Sequence, residues 1–127
     1  MDQTSLQLAR EFHSRRDREQ REAREDLRRD VLGQARQAIR DLAPGFPALR
    51  AVFLFGSVLR PGRFQATSDV DVAVDCDDIE TETPFWRRLE EALERNVDLR
   101  PRAGAVARAV EEYGELCYER KVPDPGT

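Results

Sequence analysis

Apolar residues at Leu27, Val31, Ala35, Ala38, Ile39 and Leu42 recur every three or four positions, and the run stops at Ala43-Pro44-Gly45. That spacing predicts a helix with one face on a core. Upstream, from His13 to Asp30, almost no apolar residue occurs and arginines alternate with acids. Pairs such as Asp17 with Arg21 and Glu25 with Arg29 put the acid one turn before the base, the better orientation for a self-supported helix. Such a stretch reads either as a solvated helical extension or as an arm that brings Leu6, Leu8 and Phe12 to another chain.

Beyond Pro47 the pattern changes period. Ala51 to Phe55 is a continuous apolar run, as in a central strand covered on both faces. Around residues 69 to 74, Val70, Val72 and Val74 alternate with Asp69 and Asp71, which predicts a second strand with one buried face. Thr83-Pro84 predicts a helix cap, followed by a buried face of Phe85, Leu89, Ala92 and Leu93. Asn96 to Arg100 reads as a third strand, and Gly104 opens a last helix through Val106, Val110 and Tyr113. Residues 115–122 fit a helix or a short strand equally, and 123–127 read as a loose tail. The expected architecture is α/β (α+β): a small mixed sheet packed with helices behind a long N-terminal helix. A charged extension (1–26) precedes one domain (27–122) and the tail.

The chemistry gathers between Val52 and Val74. Strand residues two apart point the same way, so the carboxylates of Asp69 and Asp71 converge while the valines turn inward. Two anions that close repel unless a cation lies between them. Mg²⁺ suits them, because it prefers hard oxygen ligands and takes only one or two carboxylates beside phosphates and water. Gly56-Ser57 ends the first strand, where glycine lets backbone approach a phosphate and serine adds a hydroxyl. An edge strand with solvent-facing acids, or a calcium-binding loop, would use similar residues.

The order of these elements resembles the minimal nucleotidyltransferases, small members of the polymerase-β-like superfamily. Their signature is a Gly-Ser pair, an arginine shortly after, then Ser-Asp-x-Asp and an apolar residue, matched here by Gly56, Ser57, Arg60, Ser68, Asp69, Asp71 and Val72. A third acid between apolar residues on the next strand is matched by Val97-Asp98-Leu99. The segment from Ser57 to Asp69 is longer than in many members, with Pro61 as the extra residue. The resemblance implies a nucleotidyltransferase fold, with Asp69, Asp71 and Asp98 as catalytic and metal-binding residues for two Mg²⁺ ions. It implies ATP as substrate, bound by Gly56, Ser57, Arg60 and Ser68. It further implies the antitoxin half of a pair with a HEPN-domain toxin, transferring AMP to a hydroxyl of that toxin. A catalytically inactive antitoxin that neutralises by binding, and a small-molecule nucleotidyltransferase like the aminoglycoside-modifying enzymes, are the other readings.

At 127 residues the chain fits one domain, too small for the added substrate domain of larger nucleotidyltransferases. A net charge of −4 gives no global field for nucleic acid, which is disfavoured as a partner. Cys76 and Cys117 lack metal-ligand spacing and read as reduced thiols of a cytoplasmic protein. No apolar run approaches membrane-spanning length, and Met1-Asp2-Gln3 does not open like a signal peptide. His13, the single histidine, has neither nucleophile nor ligand nearby in sequence. Association of copies through the N-terminal helix is a further expectation.

Overall fold

The computed structural model describes residues 3–121; the expected tail at 123–127 lies outside them. The two patterns at the start of the chain form one helix, α1 (Gln3–Leu42), of 40 residues, about 60 Å long. Its buried residues, Arg28, Val31, Leu32, Ala35 and Ile39, all fall in its second half. Leu6, Leu8 and Phe12 are exposed. Glu25 pairs with Arg28 rather than with Arg29, which instead approaches Asp26.

Four strands follow: β1 (Leu49–Phe55), β2 (Val70–Cys76), β3 (Val97–Pro101) and β4 (Glu115–Glu119). They form one sheet in the order β3-β2-β1-β4, with β1 antiparallel to both β2 and β4 and β2 parallel to β3. The sheet is therefore mixed, as expected. The parallel pair needs a long crossover, supplied by α2 (Ile79–Leu93). Segment 115–122, ambiguous by pattern, places its first five residues in β4.

The start of α2 corrects the expected cap at Thr83-Pro84. Asp78 is the N-cap and accepts a hydrogen bond from the Glu80 N–H at 3.1 Å, leaving Pro84 inside the helix. The acids Glu80 and Glu82 thus occupy the first turn, where the helix dipole favours negative charge. Phe85 and Leu89 are buried as expected, whereas Ala92 is exposed. Trp86 lies at the margin and donates its indole N–H to the Val97 carbonyl at 2.6 Å.

One continuous core joins Val31, Ala35 and Ile39 of α1 and Phe85 and Leu89 of α2 to Val52, Leu54, Val70, Val72, Val74, Val97 and Leu99 of the sheet. The last helix, α3 (Gly104–Tyr113), lies against β1 and β2 but contributes no residue to this core and buries none of its own. It passes straight into β4 at Gly114, where a Cβ atom would lie 2.7 Å from both Cα and O of Val110. Arg36 fastens β4 to α1 by donating Nε and Nη2 to the two carboxylate oxygens of Glu115, at 2.7 and 2.6 Å. Among the described residues no helix is long and apolar enough to cross a membrane.

Candidate active site

The alternation that buries Val70, Val72 and Val74 sends Asp71 and Asp75 to the other face of β2. Asp71 lies opposite Phe55, the last residue of β1, and level with Asp98 of β3. The next residue, Gly56, has φ +77°, and a Cβ there would fall 2.0 Å from Asp71 Oδ2 and 2.9 Å from its Cγ. Only glycine satisfies both the left-handed backbone and this close approach. The start of the short 3₁₀ turn Gly56–Leu59 is thereby pressed against a carboxylate.

Asp71 is half-buried, and its carboxyl is pushed up to about 6, first by burial and then by the negative charges of Asp98 and Asp69. The three acids therefore share one electrostatic field. They do not converge on a single point. Among the described residues no three acidic, histidine or cysteine side chains are grouped to hold an ion. Asp98 is directed instead to its neighbour Arg100, with Oδ1 accepting from Nε at 3.1 Å.

The donor set nevertheless fits Mg²⁺. It is all oxygen, it concentrates negative charge that a cation would relieve, and Mg²⁺ leaves most of its shell to water and phosphate. Asp69, exposed just before β2, and Asp71 are the residues that would hold it. Asp98 could join them only by leaving Arg100.

Other expected site residues have partners that local sequence does not reveal. The Arg60 guanidinium stacks on Tyr113 of α3, 5.1 Å from the ring centroid, a cation–π contact. Ser68 accepts the Gln65 N–H on its hydroxyl at 2.9 Å and returns its own N–H to the Gln65 carbonyl at 3.0 Å. It closes the turn that leads into Asp69, and its hydroxyl remains able to donate. Asp75, on the same face of β2 as Asp71, is engaged by Arg102 through Nε and Nη2, the shortest distance being 2.7 Å.

Three residues escaped the sequence reading. Arg95 donates Nη1 to the carbonyls of Ala66 and Ser68, at 3.0 and 2.8 Å, and stacks over Phe64. It forms one wall of a recess of about 300 Å³ that also includes Ser68, Asp69 and Asn96. Glu25 and Arg28 reach from α1 to the loop after Ser57: Arg28 Nη1 donates to the Val58 carbonyl at 3.2 Å, and the Gly62 N–H donates to Glu25 Oε1 at 2.6 Å. The only signal for either was the charge alternation of the helix, which does not say which arginine faces inward.

Comparison with known proteins agrees with this geometry. The family model described as polymerase beta, nucleotidyltransferase matches residues 37–121. No curated protein matches significantly. Among solved structures, a chain of a toxin-antitoxin with AMP-PNP is 27% identical over 68% of this chain and 74% of its own, with a TM-score of 0.55. A chain of a toxin-antitoxin MntA-HpeT mutant is 25% identical over the same shares, at 0.54. A chain of a second MntA-HpeT mutant is 27% identical over 67% and 72%, at 0.51. With the Gly-Ser turn, the paired acids and the mixed sheet all inside or beside the matched segment, the chain belongs to the polymerase β nucleotidyltransferase family.

Proposed function

We propose that this chain is a Mg²⁺-dependent nucleotidyltransferase that moves AMP from ATP to a hydroxyl of a HEPN toxin, and so acts as a cytoplasmic antitoxin. The observation that carries the chemistry is Asp71 seated against the Gly56 backbone and level with Asp98. That juxtaposition sets a turn able to accept phosphate directly beside carboxylates able to take a cation. The antitoxin role is supported by likeness to chains of toxin-antitoxin complexes, one of them crystallised with AMP-PNP.

In this reading Gly56 and Ser57 receive the β- and γ-phosphates. Asp69 and Asp71 would hold Mg²⁺, with Asp98 for a second ion; the metal, when bound, neutralises phosphate charge and lowers the pKa of the attacking hydroxyl. Without a cation, burial and the charges of Asp98 and Asp69 push the Asp71 carboxyl up to about 6, and a bound cation would favour its ionised form. The acceptor hydroxyl gives up its proton to solvent water, its oxygen bonds to the α-phosphorus, the bond from that phosphorus to the bridging oxygen breaks, and pyrophosphate leaves. No histidine is required, because the acids act as ligands and orienting groups.

A second reading, a module that silences its partner by binding alone, draws on the Asp98–Arg100 ion pair, which occupies the third acid. Labelled ATP, Mg²⁺ and a HEPN partner distinguish them. The enzyme reading expects label on the partner with wild type and a large loss with Asp98→Asn, ATP binding being retained. Partner capture by wild type without any transfer of label would leave only the binding module.

A further inference from the structure

We infer that Glu25 and Arg28 of α1 are positioning residues for the phosphate-binding turn, an inference that rests on the nucleotidyltransferase reading. Three residues apart, they share one helix face. Arg28 is the one charged side chain buried among the described residues, 8% exposed. A guanidinium taken out of water destabilises the fold unless its donors are matched. Here they are: Nε and Nη2 meet Glu25 Oε2 at 3.1 and 3.0 Å, and Nη1 meets the Val58 carbonyl. The other oxygen of Glu25 accepts the Gly62 N–H, and Arg28, then Gly62, hold its carboxyl below the ordinary range.

One ion pair therefore grips the loop on both sides of Arg60. Val58 belongs to the turn that begins with Gly56 and Ser57, and Gly62, at φ +80°, lies beyond it. The same helix contains a useful contrast. Arg29 and Asp26 have the same spacing, stand 3.9 Å apart and are mostly exposed, so they touch nothing beyond the helix surface. If helix support were the whole purpose of Glu25 and Arg28, they would resemble that pair. Instead they fix one end of a loop whose other end is fixed by Gly56 against Asp71. Displacement of such a turn by about 1 Å is enough to cost orders of magnitude in a reaction that depends on alignment.

The test compares full-length wild type with Glu25→Ala, Glu25→Gln and the double variant Glu25→Ala/Arg28→Met. The double variant removes the buried charge together with its partner, so no unpaired guanidinium remains to unfold the protein. Calorimetry with Mg²⁺ measures ATP and AMP. Positioning predicts an ATP Kd raised about tenfold or more in Glu25→Ala and in the double variant. Glu25→Gln should fall between wild type and Glu25→Ala, since its amide oxygen can still accept the Gly62 N–H while its NH2 group, a donor, no longer matches Arg28. AMP, lacking the β- and γ-phosphates, should bind all variants as it binds wild type, and amide exchange at Gly62 should quicken. A folded double variant with wild-type ATP affinity, or equal losses for ATP and AMP, overturns the inference. Failure of wild type itself to bind ATP overturns the reading beneath it, and is visible before any variant is measured.

Discussion

The two faces of β2 lie interleaved along a few residues yet obey opposite rules. Val70, Val72 and Val74 are almost wholly buried and belong to the core shared with α1 and α2. Asp71 and Asp75 alternate with them on the other side, where α3 buries no residue of its own and Asp71 is disfavoured as an anion by burial and by its acidic neighbours. The difference teaches how a small domain tolerates a repulsive site. Stability is concentrated on one face, so the other can hold charge that a ligand, rather than the fold, neutralises. Among the described residues no buried side-chain polar atom lacks a hydrogen-bond partner, so the strain on the acidic face is electrostatic and not one of missing bonds.

Breaking the apolar face should cost most. Leu54 is fully buried between β2 and β4, and Leu54→Ala is expected to destabilise the domain by about 2–5 kcal/mol, through lost burial and a residual cavity. Urea unfolding measures it, and the molecules still folded should bind ATP with Mg²⁺ as wild type does. A loss below about 1 kcal/mol would mean that stability is not concentrated there.

Gly56→Ala acts where the faces meet. It adds left-handed strain at φ +77° and a Cβ within 2.0 Å of Asp71 Oδ2. The expected cost is about 1–3 kcal/mol, with ATP binding lost more completely than stability because Asp71 must move. Asp71→Asn should do the reverse. Removing one of three mutually repelling charges is expected to raise stability in the absence of metal by about 1 kcal/mol, a figure discounted for the exposure of the site. It should also abolish any Mg²⁺-dependent rise in the unfolding midpoint. A destabilised Asp71→Asn protein would show that the acid serves the fold.

Glu115→Gln probes the seam between α1 and β4. Arg36 holds the Glu115 carboxyl below the usual carboxylate range. The folded-state value is thus depressed, and the sign follows: the stabilisation is fully present above the ordinary value of about 4.5 and is lost as pH falls through the folded-state value. A partly exposed bidentate pair is worth about 1 kcal/mol. Wild type should exceed Glu115→Gln by that amount at pH 7, and the two thermal midpoints should converge in acid. A gap independent of pH would assign the effect to packing.

The apolar face was legible in the sequence because period two and period 3.6 are local signals, carried by Val70-Val72-Val74 and by Val31-Ala35-Ile39. The acids of the other face were legible for the same reason. What they touch was not. Arg60 lies on Tyr113 and Arg102 grips Asp75, contacts decided by which elements the topology brings together, while Asp98 turns to Arg100, two residues on along its own strand. The start of α2 was misread because Thr83-Pro84 is a strong local cap signal, whereas Asp78 wins by capping an acidic first turn. The choice of Glu25 for Arg28 over Arg29 is similar: both spacings support a helix, and only burial against Val58 decides.

The smallest effect on the domain is expected from the half of α1 that touches none of the core. From Gln3 to Glu22 every described side chain but Ala9 is exposed, and the helix carries Leu6, Leu8 and Phe12 about 30 Å beyond the packed region. Deleting residues 1–22 spares Glu25 and Arg28. The unfolding midpoint and ATP affinity should therefore stay near wild type, within the range of about ±0.5 kcal/mol found for surface changes. If the arm serves association, its three exposed apolar side chains are what a second chain would cover, and the deletion should lower the mass seen by light scattering or abolish capture of a HEPN partner. Unchanged mass and unchanged capture in a folded deletion protein would show that the arm is a solvated extension.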